Sequence, residues 1–398
     1  MRMRSRNEVL RVDYIRYMKQ GQEVVVAAEE ILQDKRFSWR ERKEKTMKLF
    51  ELYEKAGYPE YAARTKDCAT FLQFGEYANG ERRLQAANFC KLRLCPMCIS
   101  RRAKRSAWLL SRILDRVEQE HRAKFLFLTL TMRSVDGHEL GAAISDLTRA
   151  WERFQGQRQV ERSFPGWFRA IEITSKWTRN GAVYHPHIHA ICAVDADYFS
   201  RESRKNGKYL HQADLIGRWQ KALRVDYRPS VRIQTTRAQA GDGQALASGG
   251  GKAAAEAGKY AVKDDEYIDP RIPERRAVEI LRDYTEALHK RRLTGFGGWM
   301  REAARALDAE NLEDGDLVRV DDESIRTDVA ELAVAFHWRF GAGDYILSGR
   351  DINPLRVKQE PVREVPEQPA TLPMVDKDKD LSEDMHQFWV YDDKSPWD

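Results

Sequence analysis

The stretch Tyr184-His185-Pro186-His187-Ile188-His189-Ala190-Ile191-Cys192-Ala193-Val194 reads as a β-strand, and its alternation fixes what can stand beside it. Successive side chains of a strand point to opposite faces, so His187 and His189 project to one side and Ile188, Ala190 and Cys192 to the other. Two imidazoles on one stiff face converge on a point, and neutral imidazole is the commonest protein metal ligand. His185 shares their parity, but Pro186 lacks an amide hydrogen and favours a strand's start. The ladder is therefore expected to begin near His187, with His185 ranked below the other two. The competing reading is a partly exposed strand whose histidines face water.

A metal-ligating strand needs a scaffold, and the chain has one. Phe125-Leu126-Phe127-Leu128-Thr129-Leu130-Thr131-Met132 is apolar on nearly both parities, the mark of a central strand covered on two faces. Phe125, Phe127, Thr129 and Thr131 share one face, and the threonines make it the expected active-site side. The following helix carries one apolar stripe, Leu140, Ile144, Leu147, Trp151 and Phe154. A second strand, Trp167 to Thr174, then a turn through Arg179-Asn180-Gly181, leads into the histidine strand as a hairpin with a long loop. Glu172 is the acid in that first arm able to stand across the ladder from the histidines. A buried glutamate needs a cation or an arginine as partner. The alternative is an edge-strand glutamate in solvent.

At 398 residues the chain exceeds the usual size of one domain, and 42% hydrophobic with 33% charged residues suits a soluble, core-building protein. No apolar run is long enough to cross a bilayer, and the basic start has no signal-peptide core behind it, so the expected location is the cytoplasm, with no membrane partner. The formal charge of +6 is unevenly spread. Residues 82 to 105 hold eight basic residues and no acid, a block suited to a polyanion. Lys91, Arg93, Arg101, Arg102, Lys104 and Arg105 are its expected DNA-binding members. Within the same block lie Cys90, Cys95 and Cys98, the last two in a Cys-x-x-Cys knuckle, with Cys68 able to return as a fourth ligand through a hairpin. Structural zinc is the expected occupant; a disulfide or redox pair is the alternative, disfavoured without a secretory signal.

Four segments follow: a helical N-terminal region (1–66), a cysteine-rich zinc-binding and basic module (67–115), a catalytic domain (116–306) and an acidic extension (307–398) whose end reads as disordered. Asp214–Leu223 reads as a helix, Ser230–Thr236 as a strand, and 275–306 as helix broken at Gly295-Phe296-Gly297-Gly298. In Glu256-Ala257-Gly258-Lys259-Tyr260-Ala261-Val262-Lys263, helical spacing groups Glu256, Tyr260 and Lys263 on one face.

Taken in order, Asn88 to Cys98, Phe125 to Thr131, His185 to His189 and Lys259 to Lys263 resemble the rolling-circle plasmid replication initiators of the His-hydrophobe-His (HUH) endonuclease superfamily. The likeness is to the group with a single catalytic tyrosine and a cysteine-rich segment, and it runs from about residue 30 to about residue 305. It implies an α+β fold: a central antiparallel sheet, a ferredoxin- or RRM-like palm, flanked by helices, with the histidine strand in the middle. It further implies His187 and His189 as ligands of Mg2+ or Mn2+, with Glu172 a less direct transfer. Tyr260 becomes the nucleophile that takes a 5′ phosphate and frees a 3′-hydroxyl primer, Glu256 the base for a later water-driven cut, and Lys263 a phosphate contact. Tyr267 is a competing phenol, set among acids that would repel a phosphodiester. The partners implied are origin DNA, single-stranded or extruded at the nick, with host helicase and polymerase. A transposase or relaxase with the same site, or a non-catalytic zinc-containing DNA-binding regulator, are the rival readings.

Overall fold

The β-branched run Val24-Val25-Val26 suits an extended chain, and in the computed structural model the N-terminus is not helical throughout. It forms an antiparallel pair, β1 (Tyr14–Lys19) and β2 (Gln22–Ala27), before the first helix. The structure describes residues 14–19, 22–27, 31–34, 36–235, 262–313, 315–320 and 330–352, all within one compact unit. The Trp39–Ala56 helix buries Trp39, Lys43, Thr46, Leu49, Leu52 and Tyr53 along one side. It stops at Gly57, whose φ of +83° is the left-handed conformation that lets its amide turn back to Glu54 O. A second helix, Pro59–Asp67, begins on a proline and ends at Cys68.

The hairpin β3 (Phe71–Glu76) and β4 (Arg82–Ala87) separates Cys68 from Cys90. It is half of a sheet that the rest of the chain completes. β11 (Leu332–Arg339) and β12 (Asp344–Ile352) return from the segment expected as an acidic extension, giving the order β12-β11-β3-β4. Val334, Phe336 and Trp338 alternate as a buried face, and Phe336 packs edge-on against Phe74 with ring centroids 6.0 Å apart. Local acidity hid this pairing, because its partners lie more than 250 positions earlier. The expected boundary at 115/116 also falls inside a single helix, Pro96–His121.

The larger sheet is antiparallel throughout. It contains β5 (Lys124–Thr131), β7 (Gly166–Thr178), β8 (Gly181–Val194), β9 (Val231–Thr235) and β10 (Thr294–Gly298) in the order β10-β7-β8-β5-β9, with the short β6 (Val135–Asp136) paired to β8. The α+β class and the central place of the histidine strand are as expected. Three details differ. The hairpin joining β7 to β8 is short, because β7 pairs on to Thr178 opposite Gly181. β8 begins at Gly181, so Pro186 lies inside it; on that flank β5 pairs up to His187 and β6 takes over at Tyr184, so the missing amide hydrogen falls in the gap between them. The glycine run at 295–298 is an edge strand, and a Cβ on Gly298 would sit 1.8 Å from the Pro165 carbonyl oxygen.

One face of this sheet, with Leu126, Leu128, Leu130, Ile171, Ile173 and Ile188, is covered by the Leu140–Gln155, Gln212–Leu223 and Glu274–Ala287 helices in the main core. The other face is covered at one end. There Phe125, Phe168, Ala170, Ile191 and Ala193 meet Leu110, Ile113, Leu114 and Val117 of the Pro96–His121 helix and Met300 of the Trp299–Ala306 helix. At the other end, where among the described residues no helix packs on that face, stand the histidines.

Candidate metal centre

Cross-strand register builds the centre. Glu172 stands opposite His187, Ala170 opposite His189, Thr129 opposite His189 and Thr131 opposite His187, so these side chains share one face. Nδ1 of His187 lies 3.1 Å from the His185 carbonyl oxygen, which can only accept; Nδ1 therefore carries the hydrogen, and Nε2 keeps its lone pair. Nδ1 of His189 lies 3.3 Å from Thr129 Oγ1, and its ring stands 5.3 Å from that of Phe127. Both rings thus aim Nε2 at the same place. The two Nε2 atoms are 3.1 Å apart, and Glu172 Oε2 is 2.8 Å from that of His189 and 3.6 Å from that of His187.

Adjacent ligands of an octahedral ion with bonds of 2.0–2.1 Å are about 3 Å apart. The three atoms therefore fit three neighbouring positions of such an ion, leaving others for water or phosphate oxygens. Glu172 and His187 keep 8% and 9% of their exposure, so the ligands are shielded without being sealed. Burial pushes the Glu172 carboxyl up, but the His187 and His189 side chains beside it outweigh that and hold the group well below the usual carboxylate range. It is an anion at neutral pH. Lys263, largely exposed, brings Nζ to 3.6 Å from Glu172 Oε1. His185 stays outside the set, its Nδ1 3.4 Å from Ser134 Oγ.

Tyr260 and Glu256 lie outside the described residues. The segment after them is anchored. Val262 is buried, Glu266 accepts from the Ser175 amide at 2.9 Å and from the Tyr284 hydroxyl, and Asp264 and Asp265 pair with Lys45 at 3.3 and 2.7 Å. Tyr267, the competing phenol, is buried and donates to Leu94 O at 2.7 Å. It is a structural tyrosine.

The four cysteines form a second centre. Sγ of Cys68 is 3.7 Å from that of Cys98 and 3.6 Å from that of Cys95, and Cys90 is 3.6 Å from Cys98. A tetrahedral ion with 2.3 Å metal–sulfur bonds spaces its sulfurs by about 3.8 Å, so the set fits zinc, and all four thiols are free. The Cys90 amide points at Cys68 Sγ and the Leu92 amide at Cys90 Sγ. Lys43, one member of a mixed charge run with no local mark of its role, is buried beside them. Its Nζ donates to Cys68 O at 2.6 Å and Lys66 O at 2.8 Å; burial pushes its pKa down to about 8, against the pull of the neighbouring thiols. The fifth cysteine, Cys192, is core, its thiol pushed up by burial.

The expected DNA-binding face is corrected in part. Arg101 and Arg102 keep only 3% and 7% of their exposure. Arg101 donates to the carbonyls of Leu317 and Val318, and Arg102 to those of Glu313, Leu92 and Lys91, so both clamp residues 313–318 onto the cysteine module. Arg93 pairs with Glu313 at 2.9 Å and Arg105 reaches Asn311 O at 3.4 Å. Guanidinium groups occupied by backbone oxygens are not a surface for phosphate. Lys91 is exposed, and Lys104 is half-buried.

Among the described residues no helix is long and apolar enough to cross a membrane. No solved structure matches the chain. It is 31% identical over 318 residues to "Protein rep" of Streptococcus pneumoniae, covering 79% of this chain and 93% of the relative. It is also 31% identical to "Protein rep" of Bacillus amyloliquefaciens, covering 79% and 94%, and 29% identical to a "Replication protein" of Staphylococcus aureus, covering 59% and 95%. The model of the Rep_1 family, described as "Replication protein", matches residues 81–346, which span the four-cysteine centre from Cys90 onward, the whole histidine sheet and the returning β11. The chain belongs to this family, that of the rolling-circle plasmid replication initiators.

Proposed function

We propose that this initiator nicks one strand of its plasmid origin by attack of Tyr260 on a backbone phosphate at the Glu172–His187–His189 centre. The observation that carries this reading is the convergence of two Nε2 atoms and one carboxylate oxygen at one end of a sheet face. Magnesium or manganese held there would polarise the scissile phosphate, offset its charge and orient it for in-line attack. Thr129 and the His185 carbonyl hold the imidazoles in place for that task. The Tyr260 oxygen forms a bond to phosphorus as the bond to the 3′ oxygen breaks. The phenol gives up its proton to solvent, and the departing oxygen takes one up to become the 3′-hydroxyl primer. Lys263 lies at the centre and three residues beyond Tyr260, which suits it to steady the phosphate. Glu256 is assigned the activation of water in a second, terminating cut, and zinc the four-cysteine centre. Host helicase and polymerase take over the freed end.

The test is incubation with single-stranded origin DNA and manganese, followed by mass spectrometry of any DNA-linked residue. A link at Tyr260 is expected. A link elsewhere, or none with DNA still bound, overturns the proposal and leaves a DNA-binding regulator.

A further inference from the structure

The correction at Arg101 and Arg102 leaves open where the nucleic acid lies. The register across the large sheet runs Ala170, His189, Thr129, Arg232 in one lateral row, so Arg232 on edge strand β9 points to the same face as the histidines. Two strand spacings separate it from His189, about 10 Å. Arg232 is exposed, and among the described residues its guanidinium has no hydrogen bond or ion pair. Next to the following row, the loop after β5 carries Arg133, whose guanidinium lies 4.0 Å over the Tyr227 ring while its amide donates to the Tyr227 hydroxyl at 3.0 Å. Trp219 Nε1 fixes the root of that loop by donating to Thr131 O at 2.8 Å. Residues 129–134 and 227–235 contain no acid. Lys263 lies on the opposite, β7 side of the centre, beside Glu172.

We infer that Arg232 and the Arg133–Tyr227 pair form a track for single-stranded DNA along the β9 side of the metal centre. Arg232 takes a phosphate near the scissile one, and the outer face of the Arg133 guanidinium, held flat by Tyr227, receives an unstacked base. Arg232 is a positioning residue. The inference rests on the proposed nickase reading for its purpose, but its test reads binding without cutting.

The probe is fluorescein-labelled oligothymidylate without divalent metal, titrated by anisotropy over a salt series. Arg232→Ala is expected to weaken binding about tenfold and to make the slope of log K against log salt less negative by about 0.7, the loss of one single-strand phosphate contact. Arg232→Lys should keep most of the slope. Arg133→Ala should weaken binding with little change of slope. Unchanged affinity and slope in Arg232→Ala, or tighter binding of duplex than of single strand, overturns the track. If the unaltered chain fails to cut origin DNA while Arg232→Ala still loses affinity, the nickase reading fails and the track stands.

Discussion

The hydroxyl of Tyr267 donates to the carbonyl oxygen of Leu94, joining the segment that follows Tyr260 to the turn that carries Cys95. The Trp39–Ala56 helix makes the same connection a second time. Lys43 and Thr46 touch the cysteine cluster from one side of the helix, and Arg42 and Lys45 hold Asp264 and Asp265 from the next. The two centres are mechanically joined. What stiffens the cysteine turn also sets where Lys263 rests against Glu172.

Tyr267→Phe removes that one donor and leaves a buried carbonyl short of a partner, which costs about 1–3 kcal/mol. Urea denaturation should register the loss. Nicking should slow through kcat with KM for DNA nearly unchanged, since the variant touches no DNA; a changed KM alone would contradict the coupling.

His187→Ala combined with His189→Ala removes two of three converging ligand atoms. Supercoiled origin plasmid should stay intact even with excess manganese. Retained nicking would remove these side chains from the chemistry.

Tyr260→Phe should bind single-stranded origin DNA as before and form no adduct that survives denaturing electrophoresis. Glu256→Ala should make the first adduct normally and accumulate it, because the terminating water attack lacks its base. Normal release from that variant would reassign the carboxylate.

The purified chain should carry one zinc per molecule by elemental analysis, and Cys95→Ser should lose it. Apparent zinc affinities of structural sites are on the order of 10 kcal/mol, so losing even about 4 kcal/mol lowers Tm by roughly 10 °C. An unaltered Tm on chelation would argue against a structural ion.

Much of this was legible because it is written in local pattern. The alternation around His187 and His189, the cysteine knuckle and the two-faced apolar run at Phe125–Met132 each depend on residues a few positions apart. What escaped depends on distant partners. Arg101 and Arg102 look like a free basic face until the carbonyls of residues 313–318 arrive to occupy them. Gly295 to Gly298 read as a break, because glycine signals flexibility; their small size instead admits Trp167 and Pro165 beside an edge strand. Arg232 carries no local signal, since only the β5–β9 register places it in the row of His189.

The return of β11 to β3 has a temporal side. A ribosome releases this chain from its N-terminus, and β3 must wait for Leu332–Arg339 before its open edge is paired. Until then Phe74 lacks the cover of Phe336. A chain stopped short of Leu332 therefore keeps the β3 edge bare, and its β3–β4 hairpin stays half of the sheet it belongs to.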